Sequence, residues 1–337
     1  MDPSSYPEVI RFLLCNCSYS HRPASVELVQ THISYVILAG DLVYKWKKPV
    51  RFGFLDFSTL ALRKYFCEEE VRLNRRLCPE MYLGVAVVSR DERGFRLDSS
   101  GEPVEFGVKM SRLPEDRMMN RVIAAAELDK GHIERVVQVL LPFYAALEPL
   151  RGSGAYGSAT AVRKIIYDNF TETRRFVGSD ALSLERFSRI RRFAENFLGN
   201  ADLFQYRVDT GHVKECHGDL HSANICLIDP VAIFDCIEFN KNLRCTDVAA
   251  DVAFLAMDLD FNGLSGLSDF FIHRFIEETG DDELEAVLNF YKCYRAYVRG
   301  KIGLLTAADP GVDRTSAARS LADAERYFRL ADTYGDG

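Results

Sequence analysis

The sequence predicts an α+β protein in two parts, a small antiparallel sheet followed by a larger, mostly helical region. Before residue 110 the apolar residues fall in short runs rich in β-branched and aromatic side chains, separated by glycine and charged turns. From Pro114 onward the apolar spacing changes to that of helices. One segment of short apolar runs, 216–240, interrupts the helical part and carries an unusual density of polar groups.

The elements follow in order. Residues 1–25 read as a helical or loose lead-in. ISYVIL (33–38) and LVYKWKK (42–48) read as strands joined by a turn at Ala39-Gly40-Asp41. Ser58 or Thr59 can cap a following helix whose apolar stripe is Leu62, Phe66, Leu73 and Leu77. YLGVAVV (82–88) and GFRL (94–97) form a hairpin around Asp91-Glu92-Arg93, and VEFGVKM (104–110) is a further strand. Helices are then predicted over 114–128 and 132–150, with Pro142 kinking or breaking the second. A glycine-rich loop, RGSGAYGSA (151–159), leads to helices over 160–177 and 183–204, and others near 247–260, 268–279, 283–307 and 315–333. The predicted boundary puts 1–110 in the sheet part and 111–337 in the helical part.

At 337 residues, 47% hydrophobic and 27% charged, the chain can bury a sizeable core. A net charge of −7 argues against nucleic acid as the main partner. The N-terminus lacks the basic start and apolar run of a signal peptide, and no window approaches a membrane span. The nine cysteines are scattered without a CxxC, and only Cys15 and Cys17 form a CxC. Reduced thiols and a cytoplasmic location are expected.

The segment CHGDLHSANICLIDPVAIFDCIEFN (216–240) holds His217, Asp219, His221, Asn224 and Asp235 around short apolar runs. Clustered polar groups beside buried strands are costly unless they bond to one another or to a ligand. Two histidines four apart would share one face of a helix, but Gly218 and the ICLI strand argue for a loop, and a zinc site needs further ligands. A self-satisfied polar turn is the plain alternative. Phosphoryl transfer uses more of the residues. One aspartate, Asp219, accepts the proton of an acceptor hydroxyl. Asn224, five residues on, and Asp235, eleven further, offer hard oxygen ligands for Mg²⁺. His217 braces the loop rather than binding metal.

Phosphoryl transfer further requires a lysine for the nucleotide phosphates and a helical glutamate to orient it. Lys45 and Lys47 share one face of the LVYKWKK strand, and Glu68, Glu69 and Glu70 lie on the next helix. Strand alternation does not choose between the two lysines, and helical angles do not choose between Glu69 and Glu70.

HGDLHSAN followed by FDCIEFN resembles the aminoglycoside phosphotransferase and choline kinase group, relatives of the protein kinases. More narrowly the chain resembles a bacterial branch of that group, some of whose members are fused to a P-loop ATPase domain. The blocks that carry the resemblance span most of the length: QTHISYVILAGDLVYKWKKPVRFGFLDFSTL, CEEEVRLNRRL, VKMSRLPEDRMM, HGDLHSANICL, FDCIEFN, RCTDVAADVAFLAMDLD and YRAYVRGK. The resemblance implies a bilobal protein-kinase-like fold binding ATP and Mg²⁺. It implies Asp219 as catalytic base, Asn224 and Asp235 as metal ligands, Lys45 as phosphate anchor and Glu70 as its partner. It places Lys109 to Leu113, with Met110 and Leu113, at the adenine-contacting hinge. Thr31, His32 and Ser34 fall where a phosphate-covering loop belongs.

No GxGxxG precedes the lysine, and no P-loop motif occurs anywhere, so a P-loop ATPase partner would be a separate protein. Asp235 is followed by Cys236-Ile237 rather than Phe-Gly, which argues against a protein-kinase activation switch. Asp247 and Asp251 can cap the helix they precede or brace the catalytic loop through Arg244. Arg295 and Arg299 share a helix face and suit either an anionic substrate or internal pairing. The expected partner is a small molecule with a hydroxyl, not nucleic acid and not a membrane.

Overall fold

Six antiparallel strands form the sheet of the first unit: β1 (Val26–Gln30), β2 (Ser34–Ala39), β3 (Leu42–Lys47), β6 (Tyr82–Asp91), β7 (Gly94–Leu97) and β8 (Glu102–Ser111). A short hairpin, β4 (Arg51–Phe52) with β5 (Leu55–Asp56), lies between the third strand and helix α2 (Leu60–Asn74). The sheet order is β1-β2-β3-β8-β6-β7. These positions come from a computed structural model that describes residues 6–53, 55–152 and 154–335. The first five residues of the expected lead-in, and Ser153 of the glycine-rich loop, lie outside the described residues.

The chain divides into two compact units, 1–117 with 232–240, and 118–231 with 241–337. Residue 110 falls inside β8, which continues to Ser111, so the sheet unit extends past the expected boundary and also takes in 232–240.

One face of the sheet is covered by α1 (Glu8–Leu13), whose Ile10 and Leu13 join Tyr19, Ile37, Ala39, Tyr44, Trp46, Ala86 and Val88 in a single buried cluster. Gly107 pairs across from Trp46, and a Cβ there would sit 2.6 Å from the indole ring. Helix α2 packs on the sheet from the side of β8 and β6. Thr59 is its cap, accepting from the Leu62 N–H. The buried face of α2 is Arg63, Cys67, Glu70, Val71, Leu73 and Asn74 rather than the purely apolar stripe expected. Polar groups therefore enter this interface where the sheet offers them partners.

Three expectations change. β1 was not anticipated, because its VELVQ alternates with only moderate burial. Of the two alternatives for Pro142, the break does not occur, since α4 (Lys130–Ala146) runs through it, while the helix expected over 114–128 shortens to α3 (Met119–Ala124). Cys15 and Cys17 are joined in a disulfide, their Cα atoms 5.2 Å apart, instead of remaining reduced. The other seven cysteines are buried and form no disulfide.

The second unit is built from α3 and α4 with α5 (Ala159–Thr173), α6 (Leu184–Phe197), α7 (Ala201–Asp209), α8 (Lys241–Arg244), α9 (Val248–Phe261), α10 (Ser265–Thr279), α11 (Leu284–Ala307) and α12 (Arg314–Thr333). Strands β9 (Val213–Glu215) and β12 (Cys245–Asp247) pair antiparallel within it. The short strand β10 (Ile225–Cys226) belongs to this unit, and β11 (Ala232–Ile233) to the first. Helix α9 is buried at every position from Val248 to Leu259, as its apolar composition dictates. Asp251 and Asp258 are the two acids on that buried stretch. They lie seven residues apart, two turns along one face. No helix among the described residues is long and apolar enough to cross a membrane.

Candidate active site

In the first unit, β3 sends Tyr44 and Trp46 into the α1 cluster and Lys45 and Lys47 to the opposite face. Both lysines meet the same carboxylate. Lys45 Nζ lies 2.9 Å from Glu70 Oε1, and Lys47 Nζ lies 2.7 Å from Glu70 Oε2. Glu70 is the buried glutamate, whereas Glu69 pairs with Arg72 on the surface. Both lysines therefore pair with Glu70, one on each oxygen. Burial alone would raise the Glu70 carboxyl, but the two ammonium groups overcome it and hold it down at about 2. Burial likewise works against the Lys45 cation, and Asp235 and Glu70 outweigh it, holding the ammonium well above its ordinary value.

Asp235 caps this arrangement. Its carboxylate accepts from Lys45 Nζ at 2.5 Å and remains 43% exposed. Its backbone lies in the left-handed region at φ 63°, a conformation that non-glycine residues adopt at some cost. Two buried side chains hold it there: Tyr82 Oη accepts from the Asp235 N–H, and Asn74 Oδ1 accepts from the Cys236 N–H at 2.8 Å.

The remaining nucleotide-side residues take these positions. Thr31 and His32 lie in the β1–β2 loop, where Thr31 Oγ1 accepts from the Ser34 N–H at 2.9 Å and shapes the turn. Ser34 is the first residue of β2 and its side chain is buried, so the loop itself ends before it. Met110 is buried on β8, and Leu113 is half-buried just beyond that strand.

In the second unit, residues 217–224 form a loop held almost entirely through its own main chain. Asp251 accepts from the His217 N–H at 2.6 Å and the Gly218 N–H at 2.8 Å. Asp258 accepts from the Ser222 N–H at 2.9 Å. Arg295 donates to the Gly218 carbonyl at 2.9 Å and to the Ala250 carbonyl at 2.9 Å. Gly218 sits at φ 87°, and a Cβ there would crowd the Leu243 carbonyl at 3.1 Å. A side chain is excluded on both counts.

This frame orients Asp219. Asn224 Nδ2 donates to its carbonyl at 3.0 Å and to its Oδ2 at 3.1 Å. His221 Nδ1 accepts from the Ala223 N–H, which leaves Nε2 to carry the proton toward Asp219 Oδ2 at 3.3 Å. His217 Nδ1 accepts from the Asp219 N–H at 3.2 Å, so this ring braces the loop. Burial would raise the Asp219 carboxyl, but His221, Arg299 and His217 outweigh it and keep it well below the usual carboxylate range. The side chain stays 33% exposed, an ionised and accessible carboxylate.

Sequence alone missed several of these contacts. Asp251 braces the loop directly, not through Arg244, which pairs with Glu215 instead. Asp247 caps α9 and forms a bidentate pair with the buried Arg207. Arg295 is buried against the loop and is not available to an anionic substrate, while Arg299 lies over the Tyr327 ring. The sequence marks Asp251 and Asp258 only as two acids seven apart within the apolar run 248–259, with nothing local to say what they hold.

Each unit offers one side-chain oxygen of the kind a hard cation prefers. The Asn224 amide nitrogen is engaged by Asp219, leaving its oxygen as the ligand atom, and Asp235 offers an open carboxylate. No cluster of three or more His, Cys, Asp or Glu suited to a metal occurs among the described residues.

Comparison with known proteins places these features in context. No family model matches the chain. An uncharacterized protein of Mycobacterium tuberculosis is 33% identical over 308 residues, covering 91% of this chain, and one of Mycobacterium bovis matches equally. The chain spans 59% of the length of these curated relatives. Among solved structures, the GDP and kanamycin complex of APH(2")-IIia superimposes with a TM-score of 0.58 at 12% identity, covering 95% of this chain and 98% of that one. Amicoumacin kinase hAmiN, in complex with AMP-PNP and Ca²⁺, gives 0.52 at 12% identity over 99% and 94%. A choline/ethanolamine kinase family protein from Mesorhizobium loti gives 0.50 at 12% identity over 94% and 96%. The chain carries the bilobal kinase-like fold of the aminoglycoside phosphotransferase and choline kinase-like family.

Proposed function

We propose that the chain is a cytoplasmic phosphotransferase that moves the γ-phosphate of ATP, with Mg²⁺, to a hydroxyl of a small molecule. The observation that carries this is Asp219: an ionised carboxylate on a rigid loop, oriented by Asn224 and His221, with a third of its surface open. Such a group can align an acceptor hydroxyl and take its proton as the oxygen attacks phosphorus. Asn224 and Asp235 are the proposed Mg²⁺ ligands, and Mg²⁺ would offset charge on the phosphates when bound. Lys45, oriented by Glu70, is the proposed phosphate anchor. Thr31, Ser34, Met110 and Leu113 remain proposed nucleotide contacts, and His217 is proposed to act only by holding the loop.

The acceptor is open among amino sugars, amino alcohols and other hydroxyl metabolites, because fold and catalytic core do not set the substrate. The test is ADP release across such a panel in the presence of ATP and Mg²⁺, repeated with Asp219→Asn. An acceptor-dependent ADP signal that vanishes in the variant supports the proposal. A signal that survives unchanged removes Asp219 as the base.

A second reading is a nucleotide-binding regulatory module acting on a separate P-loop ATPase. It is favoured by the Lys45–Asp235 ion pair, which already satisfies both groups. Nucleotide binding without ADP release from any acceptor, together with nucleotide-dependent capture of such an ATPase, would favour it over transfer.

A further inference from the structure

Lys45 and Lys47 do not compete for Glu70; each takes one oxygen. Beyond Glu70 the contacts diverge. Lys45 reaches Asp235, and Lys47 reaches Glu238. The five groups stand in single file, Asp235–Lys45–Glu70–Lys47–Glu238, and both ends belong to one turn, three residues apart. Lys47 also lies over the Phe57 ring, 4.8 Å from its centre.

Exposure is graded along the file. The Asp235 side chain is 43% exposed and Lys45 15%, whereas Lys47 is 1%, Glu70 0% and Glu238 4%. Only the Asp235–Lys45 end can be reached by a ligand. Lys47 and Glu238 are dry and ion-paired, so they cannot be phosphate or metal contacts.

Nucleotide binding sets a demand on this file. If Lys45 turns to a phosphate and Asp235 to a metal ion, their mutual contact is lost, and Glu70 gives up one of its two cations. Unpaired buried carboxylates are costly, and the Asp235 turn already holds a left-handed residue. Something must keep Glu70 and the turn in place during the exchange. We propose that Lys47 and Glu238 are positioning residues, a second lysine–glutamate pair beyond the reach of ligand that pins Glu70 and the Asp235 turn while Lys45 and Asp235 change partners. This rests on the phosphotransferase reading. Burial, with Glu70 nearby, raises the Glu238 carboxyl, and Lys47 works against that rise.

The proposal makes Glu238 matter for metal-dependent binding, not simply for folding. The measurement is the dissociation constant of ATP by calorimetry, with Mg²⁺ and with EDTA, on wild type, Glu238→Gln and Lys45→Met, alongside melting temperatures. Glu238→Gln should weaken ATP binding about tenfold with Mg²⁺ and less than twofold in EDTA, because Asp235 is displaced while Lys45 keeps Glu70. Lys45→Met should weaken both. Should Glu238→Gln not fold, Glu238→Asp, with the charge retained one methylene short, is read by the same ratio. A lowered melting temperature with the wild-type ratio of the two constants makes the pair merely structural and overturns the proposal. Absence of Mg²⁺-dependent ATP binding by wild type overturns the phosphotransferase reading, and this proposal with it.

Discussion

The charged groups around Glu70 in the first unit are fixed by one another, while the carboxylates behind the 217–224 loop in the second are bonded chiefly to its main chain. Glu70 sits between two ammonium groups on neighbouring positions of one strand. Asp251 and Asp258 instead accept from three backbone N–H groups of the 217–224 loop. Side-chain ion pairs can exchange partners, which suits a place where a lysine must leave a carboxylate for a ligand. Carboxylates bonded to main-chain donors define a loop's path and leave nothing to exchange, which suits a base that must not move. On the proposed function, the difference separates a part of the molecule that exchanges partners on binding from one that stays still.

The sharpest way to test that contrast is at Asp219. Asp219→Asn leaves the main-chain hydrogen bonds of the loop in place and removes the proposed base, so turnover should fall by roughly 10²–10⁴. The ATP-induced rise in melting temperature should persist. Loss of the nucleotide shift would show that the variant disturbs more than the base.

Glu70→Gln should be the most damaging change to stability. It leaves Lys45 and Lys47 facing a neutral amide in a dry site, and breaking a buried pair costs about 3–5 kcal/mol. Urea unfolding would read this directly. The same residue sets a pH limit. Its carboxyl is lowered from its ordinary 4.5 to about 2, so its stabilisation is present above the unfolded value and is lost as pH falls from about 5 toward 2. Glu238, whose carboxyl is raised, acts in the opposite sense. The acid limb that disappears in Glu70→Gln isolates the Glu70 part, and an unchanged limb would contradict the depressed value.

Asp251→Ala should cost somewhat less, about 2–3 kcal/mol, because two buried backbone donors and the Tyr144 hydroxyl lose their acceptor. It should also lower turnover through the loop while leaving ATP affinity unchanged. A parallel loss of ATP affinity would blur the contrast between the two regions. The smallest effect is at the start of α2. Thr59→Ala removes a cap worth about 1 kcal/mol and should shift the melting temperature by a few degrees without altering activity.

Much of this architecture was legible in the chain. Period-two runs marked β2, β3, β6, β7 and β8, and the α2 cap was written in Ser58-Thr59. The D-x4-N spacing put Asn224 where its amide reaches Asp219, because that span is short enough for local geometry to decide. The buried loop anchors were not legible, since nothing local links Asp251 to Gly218, 33 residues earlier. Nor was the continuity of α4 through Pro142, which packing tolerates against local preference.

The sequence by itself determined the element types, the order of sheet before helices, and the set of oxygen-bearing side chains, because each depends on neighbours within a turn or two. Only the tertiary structure decided that both lysines share Glu70, that Glu238 joins them, and that the aspartates of α9 hold the loop. Those choices are made by side chains 23 to 191 residues apart, and their energies exist only once burial has removed water from between them.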